Sequence, residues 1–104
     1  MAQPRVPVPF NAGGFGGEQR SDGIIQGLID NNQQITNAVG IARNSPGIQL
    51  TSLTYRSQNA EGTNFVVKVR TQDDIYLLIH IRQGLNGDVG LVAQRATEPI
   101  SCQI

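Results

Sequence analysis

Among side chains able to attack, abstract a proton or hold a metal, this chain of 104 residues offers one cysteine and one histidine. Paired as thiolate and imidazolium, Cys102 and His80 would make a nucleophile. Such a pair needs a third group to orient the ring, and the sequence supplies none. Cys102 sits almost at the C-terminus. His80 lies inside an alternating strand pattern, where it reads as a partly exposed residue on a sheet face. Metal binding requires several His, Cys or carboxylate ligands at suitable spacing, and no such set is present. Asp73-Asp74 reads as a charged turn. The glycine cluster 13–17 lacks the preceding strand and the following Lys-Ser/Thr of a phosphate loop. These residues point away from an enzyme, and nothing calls for a cofactor.

Composition narrows the partners. Eight basic and eight acidic residues cancel, so no overall field favours nucleic acid or an anionic lipid surface. The basic residues are scattered and not interleaved with stacking aromatics, which argues against a nucleic-acid platform. With 38% apolar residues and no apolar run approaching ~20 residues, no membrane span is expected. The start, MAQPRVPVPFNAGG, has prolines at 4, 7 and 9 and lacks the apolar core of a secretory signal. One cysteine cannot form an internal disulfide. Together these features predict a soluble protein of the cytoplasm. The length suits one domain. Residues 1–12 are expected to be a flexible proline-rich extension, and residues 13–104 a single domain.

The elements that must position any site are legible as patterns. Ser21 or Asp22 can cap a helix. Ile24, Ile25, Leu28, Ile29, Ile35 and Val39 then fall near helical spacing, with Asp30, Asn31, Gln33 and Gln34 on the other side. Asn32 leaves a gap in the apolar stripe. Gly23 and Gly27 lower the intrinsic propensity, so packing must hold this helix. Gly40 is placed to end it, and Asn44-Ser45-Pro46-Gly47 reads as a turn. Ile48 to Ser57 is strand-like. Phe65, Val67 and Val69 alternate with Val66, Lys68 and Arg70. After a turn at Thr71-Gln72-Asp73-Asp74, Ile75, Leu77, Ile79 and Ile81 share one face, opposite Tyr76, Leu78, His80 and Arg82. Leu85-Asn86-Gly87-Asp88 opens another turn, and Val89 to Arg95 is the last strand. The expected fold is α+β: one N-terminal helix packed against a four- to five-stranded antiparallel sheet.

The stretch Ser57-Gln58-Asn59-Ala60-Glu61-Gly62-Thr63-Asn64-Phe65 joins two of these strands without the usual Asn-Gly or Asp-Gly turn. Together with Tyr55-Arg56 before it and Val66-Val67-Lys68-Val69 after it, it resembles the centre of the stefins. These are the intracellular, disulfide-free branch of the cystatin family, inhibitors of papain-like cysteine proteases. Stefins carry a Gln-x-Val-x-Gly hairpin, usually continued as Gly-Thr-Asn-Tyr and a strand containing Lys-Val. Gln58, Gly62, Thr63, Asn64 and Lys68 match, with Phe65 in the Tyr position. Gly13-Gly14-Phe15 is similar to the glycine-containing trunk before the stefin helix. Leu28-Ile29-Asp30 resembles the Ile-Val-Asp stretch within that helix. Leu85-Asn86-Gly87 takes the place of a second hairpin, Leu-Pro-Gly or Leu-Pro-His, and Gly90-Leu91-Val92 resembles the strand after it. The similarity spans most of residues 13–95, with extra residues near Gly40–Gly47.

The resemblance implies a cystatin-like fold and a reversible, competitive, tight-binding inhibitor of cathepsin- and papain-type enzymes. The mode of action that the resemblance implies is occlusion. Three parts would form a wedge: the trunk Gly13, Gly14 and Phe15; the first hairpin Gln58, Asn59, Ala60, Glu61 and Gly62; and the second hairpin Leu85, Asn86 and Gly87. Ala60 stands where the family motif has Val, Glu61 where it has a small residue, and Asn86 where it has Pro. A stefin-like domain with a degenerate inhibitory loop, acting as an interaction module, is therefore the alternative. The partner implied is a papain-like cysteine protease, with no nucleic acid and no membrane. The chain is expected to be a monomer, with strand exchange into a domain-swapped dimer as the other assembly.

Overall fold

A computed structural model describes residues 15–59 and 61–97. Gly13, Gly14, Ala60 and Cys102 lie outside the described residues. The described elements run in the order β1 (Gln19–Arg20), α1 (Gly23–Asp30), α2 (Gln33–Ala42), β2 (Leu50–Asn59), β3 (Thr63–Thr71), β4 (Tyr76–Gln83) and β5 (Val89–Ala96). The five strands form one antiparallel sheet whose spatial order equals the sequence order. Two helices pack on one face, an α+β fold consistent with a cystatin-like arrangement.

The single expected helix is two helices. Asp22 caps α1, its carboxylate accepting from the amides of Ile24 at 3.0 Å and Ile25 at 3.1 Å. The helix stops at Asn31. There Asn32 turns its side-chain amide back onto the Leu28 carbonyl at 2.9 Å, in competition with the backbone ladder. Asn32 then serves as the N-cap residue of α2. The gap in the apolar stripe at Asn32 is this break. Gly40 does not end α2, which continues to Ala42. It is instead where the following turn crosses closely: a Cβ there would lie 2.9 Å from the Ser45 carbonyl oxygen.

Ile25, Ile29, Ile35 and Val39 of the helices meet Val67, Val69, Leu77, Ile79 and Ile81 in one core. Their burial supplies the main stabilising term. Gln26 stitches α1 to the sheet. Its Nε2 donates to the Leu50 carbonyl at 3.0 Å, and its Oε1 accepts from the Ser52 amide and hydroxyl, each at 2.8 Å. The far turn behaves as a charged turn, with Asp74 in left-handed backbone at φ 61°. Its 3.9 Å ion pair with Arg70 is solvent-exposed and adds little.

The opposite face of β3 and β4 departs from expectation. His80 is 1% exposed, and Val66, Leu78 and Lys68 are 0%, 1% and 3% exposed. His80 is thus a buried residue, not a partly exposed one. Alternation reports which side chains share a face; it does not report whether that face is covered. Phe15 is one of its neighbours, its ring standing edge-on to the imidazole at 6.4 Å. The Lys68 ammonium lies 5.9 Å from the centre of the Tyr76 ring, within cation–π range. Among the described residues, no helix is long and apolar enough to cross a membrane.

Candidate functional site

Three segments converge at one end of the sheet. β2 and β3 pair through Gln58↔Asn64 and Asn59↔Thr63. The Thr63 hydroxyl donates to the Asn59 side-chain oxygen at 3.2 Å, tying the base of the tip. Glu61 and Gly62 turn the chain with positive φ, 54° and 110°. The second value belongs to glycine-favouring backbone.

The second hairpin starts where β4 ends. The Gly84 amide donates to the Asp88 carbonyl at 2.7 Å, and the Gly87 amide to the Gly84 carbonyl at 3.0 Å. Gly87 has φ 93°. This tight turn pushes Leu85 into solvent, where it is 84% exposed. Asn86 and Gly87 are exposed beside it.

The two hairpins touch. Thr63 pairs with Gln83 across β3 and β4. A Cβ on Gly62 would run into the Gln83 carbonyl oxygen and lie 3.2 Å from the Gly84 Cα. Gly62 is therefore required twice, by its φ and by this contact. The Arg82 guanidinium donates to the Glu61 carbonyl, reaching from β4 to the neighbouring tip. Glu61 itself is exposed.

The N-terminal segment joins the same end from the other side. β1 pairs with β2 as Gln19↔Tyr55 and Arg20↔Thr54. The Gly16 amide then donates to the Ser57 carbonyl at 2.9 Å. Beyond it, Phe15 crosses onto the face bearing His80. The His80 Nε2 meets the Asn64 side-chain oxygen at 3.1 Å. With that oxygen as acceptor, the ring proton is assigned to Nε2.

Of the residues singled out in the sequence, Phe15, Gln58, Asn59, Glu61, Gly62, Leu85, Asn86 and Gly87 all fall at this end. Cys102 is outside the described residues, so its relation to His80 is not described. Among the described residues, no three His, Cys, Asp or Glu side chains group as metal ligands. The arrangement is a protruding edge of two coupled hairpins beside an N-terminal segment. Its capacity is steric and hydrogen-bonding.

Pattern reading missed Ser57, Arg82 and Gly84. Arg82 carried one usable signal: it shares the outward-facing set of β4 with His80, two residues before the turn. Gly84 carried another, as a glycine at the mouth of a predicted turn. Comparison with known protein families and with curated proteins finds no match for this chain.

Proposed function

We propose that this protein is a reversible, competitive inhibitor of papain-like cysteine proteases and has no enzymatic activity of its own. The observation that carries the proposal is the convergence of the two hairpins at one end of the sheet, with Gly62 seated against Gly84 and Gly16 tied to Ser57. The stefin-like residues Gln58, Gly62, Thr63 and Asn64 lie in that same structure.

The mechanism is occlusion. The hairpin tips enter the open cleft of the protease and cover its Cys–His pair. Leu85 offers apolar area to one wall. The stefin resemblance assigns the trunk of Gly13, Gly14 and Phe15 to the other. Because both turns are already formed, little conformational entropy is lost on docking. No peptide of the inhibitor is held at attack distance, so none is cleaved. The protein acts as a monomer, and a lone cysteine suits the reducing cytoplasm.

A second reading is favoured by Glu61, which places a charge at the tip where the stefin motif has a small residue. In it, the domain is an interaction module that no longer grips a protease. Titration against papain and a panel of cathepsins separates the two. Inhibition of peptide hydrolysis, competitive with substrate, supports the first. No inhibition at ~10 µM, an affinity weaker than about −7 kcal/mol, would sink it and leave the second.

A further inference from the structure

The three parts of the edge come from distant stretches of chain, yet β4 touches all of them. It runs directly into the second hairpin at Gly84. From its outer face His80 meets Asn64 at 3.1 Å, on the strand that leaves the first hairpin, and packs edge-on against Phe15. Two residues on, Arg82 shares that face and binds the carbonyl of Glu61 at the first tip. The imidazole is buried, so its contacts are shielded from competing water. The guanidinium makes a charge-assisted bond to a carbonyl held in left-handed backbone, which fixes the direction of the tip.

We propose that His80 and Arg82 are the positioning residues of the inhibitory edge: Arg82 holds the first hairpin to the second, and His80 holds the N-terminal segment to both. Their inhibitory role rests on the function proposed above. The brace itself rests on geometry alone. Neither residue contacts the protease; each acts through the loop it holds. The first hairpin and the N-terminal segment are then separately adjustable, because different atoms fix them.

Paired substitutions test this. Arg82→Ala should free the first tip. Backbone amide order parameters at 61–63 should fall from the rigid range near ~0.85 toward ~0.6, with the melting temperature nearly unchanged. Dissociation from papain should quicken by about tenfold with association unaltered, as losses of preformed interface geometry do. Arg82→Lys, which can still donate to the Glu61 carbonyl, should recover part of that loss. His80→Gln keeps a donor for Asn64 and removes the ring from Phe15. It should raise hydrogen exchange at the Gly16 amide by about tenfold and leave the first tip rigid. His80→Phe keeps the ring beside Phe15 and removes the donor to Asn64, and should leave Gly16 exchange near the wild-type value. Unchanged order parameters at 61–63 in Arg82→Ala, or unchanged Gly16 exchange in His80→Gln, would overturn the brace. Loosening in these variants, with a wild-type protein that does not inhibit, would leave the brace standing and remove its inhibitory role.

Discussion

The contact between Gly62 and Gly84 can be weighed against a control within the same molecule. Gly62 and Gly87 both have positive φ, 110° and 93°. A side chain at either position strains the backbone by roughly 1–2 kcal/mol. They differ in surroundings. A Cβ at Gly87 meets nothing within 4 Å, whereas one at Gly62 collides with the Gln83 carbonyl oxygen and crowds the backbone of Gly84. Those obstacles are backbone atoms at the end of β4 and in the hydrogen-bonded turn after it, so they cannot swing aside as a flexible side chain would. Gly87→Ala should therefore cost about 1–2 kcal/mol from conformation alone. Gly62→Ala should cost that and a further ~1–2 kcal/mol for prying the hairpins apart, comparable with overpacking elsewhere. For a domain of this size, 1 kcal/mol corresponds to about 4 °C in melting temperature. The expected losses are then roughly 4–8 °C and 8–16 °C. Urea denaturation followed by circular dichroism, with equal slopes for all three proteins, gives the free energies directly. Equal losses for the two variants would show that the hairpins do not bear on each other, and the account of the edge as one rigid body would fail.

Other consequences can be measured alongside. Glu61→Gly relieves a non-glycine residue at φ 54°; it should stabilise the protein by about 1 kcal/mol and tighten protease binding, and weaker binding would make Glu61 a contact in its own right. Gln26→Ala strands the Ser52 amide and the Leu50 carbonyl that Gln26 now satisfies, so a loss of about 2–3 kcal/mol is expected by denaturant titration. A loss below ~0.5 kcal/mol would mean that water replaces the amide there. Ile35→Ala empties a fully buried site at the junction of α2 and the sheet and should cost about 2–5 kcal/mol by the same titration; a loss under ~1 kcal/mol would show that the core collapses around it.

The sheet was readable because its strands alternate cleanly: Leu77, Ile79 and Ile81 declare a buried face, and the turns at 71–74 and 85–88 declare its hairpins. The register that results places Thr63 beside Gln83, so the meeting of the hairpins follows from turn positions alone. The broken helix was half legible. Asn32 interrupted the apolar stripe, but only the bond from its side chain to the Leu28 carbonyl converts a gap into an end. β1 escaped notice because two residues, Gln19 and Arg20, carry no periodicity; pairing with Tyr55 and Thr54 creates the strand. The buried outer face escaped for a different reason. Lys68, His80 and Arg82 look like a solvated polar side, and only contacts from elsewhere in the chain, Phe15 among them, contradict that. Residues that hold a loop through one long-range bond, as Arg82 does, leave no trace in local pattern.

The sequential strand order also has a bearing on how the edge is assembled in time. Each of the pairs β2–β3, β3–β4 and β4–β5 closes over a short turn, so three-quarters of the sheet ladders can zip from local contacts. The pair β1–β2 is the exception. Gln19 and Tyr55 are 36 positions apart, and both helices lie between them, so this closure carries the largest loop entropy. Two residues of strand hold it once made, flanked by the backbone bonds Gly16 to Ser57 and Ser21 to Leu53. The hairpins are thus the early and durable part of the structure, and the docking of Gly16 on Ser57 is the late and shallow part. That seam is expected to open before the paired hairpins do, and faster amide exchange at Gly16 than at Thr63 would show it.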